Sequence, residues 1–213
     1  LFNNFAVEVV GLEGNHIGII QSVREVPGFL ALLVVFVLLV MKEHRLSAVS
    51  VLILGVGVGA TGLLPFYYGV ILTTLVMSFG FHYYETTNQS LTLQYFSKET
   101  SPWVFGKLRS LAAAANIAVG VFIYFVEPYL NYTILFFIIG AMVILAALWG
   151  FFQNPTERDI VPQRKKMVFR KKYWLYYFLT FMAGARRQIF MAFAVFLMVK
   201  RFHFSVQEIT ILF

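Results

Sequence analysis

Two adjacent arginines, Arg186 and Arg187, stand inside "FMAGARRQIFMAF", an otherwise almost wholly apolar stretch whose uncharged flanks run from Tyr173 to Val199. At a membrane centre each would cost roughly 2.5 to 3.5 kcal/mol, so such residues face a wet cavity, a partner charge or a ligand. Arginine keeps its charge at any accessible pH, and its planar fork of donors suits carboxylate or phosphate. The pair therefore predicts an anion. Helical spacing puts Arg187 on one face with Thr180, Gly184 and Gln188, and turns Arg186 about 100° away. Arg187 and Gln188 are thus expected to touch substrate. Arg186 is expected either to join them or to pair with a carboxylate on another helix.

Three further sets of polar residues interrupt apolar runs. In "IIQSVREVPGF", Gln21, Arg24, Glu25 and Gly28 share one helical face, and Pro27 weakens the helix there. In "SFGFHYYETTNQSLTLQ", Ser78, His82, Glu85, Gln89 and Thr92 form a polar stripe over four turns. Asn3 and Asn4 add a smaller step near the start. Asn4 and Gln89 are candidate substrate contacts; Glu85, His82, Glu25 and Arg24 are candidates for proton coupling or a charge network, because intramembrane ionisable groups mark solute, ion or proton routes. Structural alternatives stay open: Arg24 and Glu25 in an interhelical salt bridge closing a gate, His82 and Glu85 satisfying each other, or Arg186 bridging to Glu85 or Glu25. A metal on His82 and Glu85 would want a third ligand that the sequence does not supply. With no cysteine, no Ser-centred elbow and no His-Glu-x-x-His, no enzyme chemistry and no cofactor is expected.

These residues must be positioned by membrane helices. With 60% hydrophobic and 13% charged residues, the chain carries more apolar surface than a soluble domain of this size buries. Long uninterrupted apolar runs near Ile17–Met41, Leu46–Leu64, Tyr67–Tyr95, Phe105–Val126, Tyr132–Phe152 and Tyr173–Val199 predict six spans in an all-α polytopic transmembrane bundle. "LFNNFAVEVVG" and "SVQEITILF" read as short pieces of further helices, and the first has no basic stretch of the kind a signal peptide begins with. In "GVGVGATG", Gly55 and Gly59 predict tight packing against a neighbouring helix.

Orientation follows from the connections. "MKEHR", "SKETSPWVFGKLR" and "QNPTERDIVPQRKKMVFRKK" hold Lys42, Arg45, Lys98, Lys107, Arg109, Arg158, Arg164, Lys165, Lys166, Arg170, Lys171 and Lys172, twelve of the 17 Lys and Arg. The intervening segments hold Glu8, Glu13 and Glu127. The positive-inside rule makes the basic set cytoplasmic and the chain a multi-pass protein of the plasma (bacterial inner) membrane, with Lys200 and Arg201 as exceptions. The basic flank at 164–172 suits lipid headgroups or simply a cytoplasmic loop; nothing else in the +7 net charge points to nucleic acid.

The order of a short helix and five spans, a long basic loop, then another span and a further helix start resembles the major facilitator superfamily, in which two six-helix halves are joined by a cytoplasmic loop. The resemblance implies an N-terminal half over residues 1–152, a linker at 153–172 and the start of a second half over 173–213. The family's loop motif Gly-x-x-x-Asp-Arg-x-Gly-Arg-Arg is matched by "LVMKEHRLSA", where Glu43 stands for the Asp while Leu39, His44 and Leu46 replace the first Gly, the basic residue and the second Gly. "FGKLRSLAAAANIAVG" is similar to the family's small-residue helix, with Gly106, Ala112, Ala115, Asn116 and Gly120 allowing close approach. The resemblance implies substrate binding between the halves near the midplane, and anion carriers of the family also place arginine in the seventh helix. The expected function is secondary transport of a small anionic organic solute by alternating access, with protons as a possible partner. Alternatives are export of amphipathic drugs or lipids along Tyr67, Tyr68, Tyr83, Tyr84, Tyr176 and Tyr177, and a non-transporting receptor or scaffold.

Overall fold

A computed structural model of the chain describes residues 1–153 and 170–212; within its last long helix, the side chains of 180, 181 and 183–192 lie outside that description. The described residues form helices and no strand. They are α1 (Phe2–Glu8), α2 (Gly14–Leu30), α3 (Val34–Val37), α4 (Glu43–Thr61), α5 (Tyr67–Tyr95), α6 (Ser101–Val126), α7 (Tyr132–Phe152), α8 (Trp174–Phe202) and α9 (Val206–Leu212). Single 3₁₀ turns occupy Ala31–Leu33, Glu127–Tyr129 and Lys171–Tyr173.

Local chemistry sets several of the boundaries. Asn131 caps α7, its Oδ1 accepting from the Ile134 N–H at 2.9 Å. Ser205 and Glu208 start α9 as a reciprocal box: Glu208 Oε2 accepts from the Ser205 N–H at 2.8 Å, and Ser205 Oγ accepts from the Glu208 N–H. Pro102 lies in the first turn of α6, where its missing donor costs nothing. α8 ends at His203, whose φ of 56° puts it in the left-handed region and turns the chain toward α9. α2 continues unbroken through Pro27 to Leu30, and the helix type changes only beyond it, in the 3₁₀ turn before α3.

Four helical stretches are long and apolar enough to cross a membrane: Gly14–Val37, Glu43–Thr61, Ser101–Tyr129 and Tyr132–Phe152. The six expected spans thus reduce to four by length and composition among the described residues. α5 has 29 residues, but His82, Glu85, Asn88 and Gln89 dilute its apolar character. α8 also has 29 residues and holds Arg186 and Arg187, whose side chains lie outside the described set. The opening and closing pieces are helical, as their sequences predict.

α4 is the packing centre, lying between α5 and α7. Gly55 and Gly59 make the expected close approach: a Cβ on Gly140 of α7 would fall 2.6 Å from Gly59 Cα and 2.8 Å from the Gly55 carbonyl. The other face of α4 does the same with α5, since a Cβ on Gly80 would sit 2.5 Å from the Ser50 carbonyl and the Leu54 nitrogen. Such contacts suit lipid, where dispersion between close backbones replaces the hydrophobic drive. α2 packs on α5, and α8 on α1 and α2. Among the described residues, α6 is nearly unpartnered. The small-residue face expected to approach another helix along its length does so only at Gly120, whose Cβ would lie 3.2 Å from Thr210 of α9; Gly106 has nothing within 4 Å, and Ala112, Ala115 and Asn116 are exposed. The physical reason is that α6 meets α9 near one end alone.

The turns holding Glu8, Glu13 and Glu127 gather at one end of the bundle. Tyr132 at the head of α7 donates to Glu8, Thr133 donates to the Gly62 carbonyl at 2.9 Å, and the His16 ring packs at a tilt against Tyr67 with ring centroids 4.9 Å apart. The buried cluster of Phe5, Ala6, Leu12, Ile17, Ile20, Val70, Phe136 and Phe196 closes this acidic end. Lys42, Lys98 and Lys107 lie toward the opposite, basic end.

Candidate functional site

The two polar faces that spacing singles out meet each other. α2 and α5 run parallel, and three successive contacts join them. Ser78 Oγ donates to the Arg24 carbonyl, the His82 ring lies over Gly28, and Tyr83 Oη donates to the Leu30 carbonyl at 3.2 Å. The close fit at Gly28 is specific: a Cβ there would stand 3.1 Å from His82 Cε1 and 3.2 Å from Nε2. Tyr83 has a local reason as well. The Leu30 carbonyl opens the 3₁₀ turn Ala31–Leu33, and a carbonyl with two lone pairs can take the Tyr83 hydroxyl as well.

Around this seam the expected residues divide by exposure. Glu25, His82 and Glu85 are half-buried; Arg24 and Gln89 are exposed. Among the described residues, no hydrogen bond or ion pair joins the side chains of Arg24, Glu25, His82 and Glu85 to one another. Neither a salt bridge between helices nor a His82–Glu85 pair is formed there, and the four stand as separate ionisable groups on two packed helices. Thr92 is buried and donates to the Asn88 carbonyl of its own helix at 2.9 Å. Tyr83 and Tyr67 are committed to packing, at Leu30 and His16. Among the described residues, no group of three His, Cys, Asp or Glu could hold a metal ion.

Asn4 lies elsewhere. It is fully buried beside Phe5 at the acidic end, with Nδ2 donating to the Phe204 carbonyl at 3.0 Å and to Glu8 Oε1 at 3.2 Å. Arg186, Arg187 and Gln188 belong to α8, but their side chains, with that of Thr180, lie outside the described residues. Spacing alone does not single out Thr74. It is 4% exposed, one turn before Ser78 on the same face, and its hydroxyl has no partner. Its sequence signal was the i−4 position from Ser78, masked by an adjacent Thr73 that is satisfied within the helix by Gly69 and Val70.

No family model matches the chain, and neither any curated protein nor any solved structure matches it. What the arrangement can do chemically therefore rests on the residues themselves. Hydroxyl and imidazole groups held between two packed helices, with half-buried carboxylates on the same two helices, can bind a polar solute or pass a proton, and they are costly to keep for packing alone.

Proposed function

We propose that the chain is a secondary active transporter of the major facilitator kind, moving a small anionic organic solute by alternating access with protons as the coupling ion. In this reading it is a multi-pass protein of the plasma membrane with its basic end inside, α5 and α8 are spans, and a second six-helix half begins at α8. The observation that carries it is the α2–α5 seam, where ionisable groups not paired with one another are held mid-length on helices otherwise dressed for lipid. The course of α8 supports it. Gly14 of α2 faces Phe196 and Gly18 faces Phe193, so the two helices are antiparallel. Counting on along both, Arg24 and Glu25 come near the level of Arg186 and Arg187. That would place cations from α8 opposite the seam, with the solute between them. Beyond its contacts at the acidic end, α8 exposes Trp174, Leu175, Tyr176, Phe178 and Leu179, which agrees with a cleft open toward the basic end.

The test is uptake into proteoliposomes under an imposed proton gradient, with labelled carboxylates and organic phosphates as solutes and an apolar amine as the contrast. Anion accumulation is expected. Glu85→Gln, which keeps the shape and removes the titration, should abolish gradient-driven accumulation while leaving exchange of solute across the membrane. Unchanged pH dependence in that variant removes Glu85 from the mechanism. Uptake of the amine alone would favour the amphipath exporter, and no uptake of either would favour a receptor or scaffold.

A further inference from the structure

The contacts described between the α1–α7 body and the α8–α9 pair lie toward the acidic end. Phe193 and Phe196 rest on Gly18 and Gly14, Thr210 rests on Gly120, and Gln207 Nε2 donates to Glu127 Oε2. At the centre of this contact is Asn4. The left-handed turn at His203, closed by bonds from His203 to Val199 and from Phe204 to Met198, aims the Phe204 carbonyl at Asn4 Nδ2. The second Asn4 amide hydrogen goes to Glu8, which is itself held by Tyr132 Oη at 2.6 Å. A chain of three side chains from α1 and α7 thus ends on the backbone between α8 and α9.

The same closure leaves two acceptors stranded. Asn3 Oδ1 and Asn4 Oδ1 are buried with no hydrogen-bond partner. A buried unpaired amide oxygen carries the full loss of its hydration, which opening would restore.

We infer that Asn4, Glu8 and Tyr132 form a reversible latch on the Phe204 carbonyl, and that the stranded oxygens of Asn3 and Asn4 keep its closed and open states near balance. The inference takes its purpose from the transport reading, as the gate of the acidic face, but its geometry stands apart from any solute. Bonds that favour closure are opposed by hydration that favours opening, the condition for an element that both states populate.

The chain has no cysteine, so single reporters can be placed cleanly. Ile20→Cys lies in the sealed cluster beneath the latch; Ser50→Cys, buried between α4 and α5, reports general unfolding. In sealed vesicles with the Glu127 face outward and no solute present, a membrane-impermeant maleimide should label the Ile20→Cys reporter slowly. Adding Asn4→Asp, which keeps the shape but replaces the donors with oxygen, should speed labelling about tenfold or more, as loss of bonds to a carboxylate and a carbonyl implies. Adding Asn3→Leu, which removes one stranded acceptor and no latch bond, should slow it below the parent rate. The Ser50→Cys reporter should stay unlabelled throughout. An Asn4→Asp rate within about twofold of the parent, labelling of the Ser50→Cys reporter that rises in step, or acceleration by Asn3→Leu would overturn the latch. If the rates behave as expected while every solute fails in uptake, the latch stands and the transport reading falls; uptake with unchanged rates gives the reverse.

Discussion

At the scale of single residues, the seam turns on one missing side chain. Gly28 lets the His82 ring come close to α2, and a Cβ there would stand 3.1 Å from the ring. Gly28→Ala asks the imidazole to give by a few tenths of an ångström and should be tolerated. Gly28→Leu must expel it, at about 1 to 3 kcal/mol of overpacking, and should lower the thermal midpoint in detergent and impair uptake together. Equal stability of the alanine and leucine variants would show that the ring is free to move away. Sequence made much of this legible, because i, i+3, i+4 and i+7 spacing marks which polar residues share a face. It could not show that the face of Arg24 and Gly28 would meet that of Ser78 and His82, 54 residues further on. Nor could it show Asn4 reaching Phe204, since a buried amide in an apolar helix looks the same whether it waits for substrate or for a distant carbonyl.

At the scale of elements, glycine separates helices that pack from those that do not. Gly140→Ala places a methyl 2.6 Å from Gly59 backbone atoms, which cannot yield unless α4 and α7 part. It should cost roughly 1 to 3 kcal/mol or more. Gly106→Ala meets nothing within 4 Å and should be neutral or stabilise by up to about 1 kcal/mol through helix propensity. Unfolding in detergent checks both, and equal effects would remove α4 from the packing centre. The pair Gly55 and Gly59 was readable because small residues four apart make a groove. The glycine-and-alanine face of α6 looks the same in sequence and is mostly bare, since a groove in one helix says nothing about whether another lies in it. The caps at Asn131 and Ser205 are made within four residues, yet in the sequence those helix starts are placed by the apolar runs alone.

At the scale of the whole molecule, charge sorts the ends. The acidic turns converge through Glu8–Tyr132, Thr133–Gly62 and Glu127–Gln207, while Lys42, Lys98 and Lys107 lie toward the other end. Glu127→Cys and Lys165→Cys should therefore be labelled by an impermeant thiol reagent from opposite faces of sealed vesicles. Labelling of both from the same face would break the alternating order of spans, and with it the transport reading. Helical class was legible because long uninterrupted apolar runs favour helices over alternating strands, and the alternation of charged turns because each long helix carries the chain from one end to the other. The number of spans was less so: the polar stripe that makes α5 interesting also makes it resemble a span less.

Beyond Arg109, α6 is largely apolar, and among the described residues little holds it besides α9 and a few contacts with α5. Its backbone bonds close within itself, so it needs no neighbour to be a helix once lipid surrounds it. On the transport reading it would then stand in the bilayer as a helix complete in itself, touched by α9 at Gly120 and at the Glu127 turn that follows it. The tie at its far end then comes from a segment 80 residues downstream, Gln207 meeting Glu127, so shortening the chain before α9 should loosen α6 while leaving it helical.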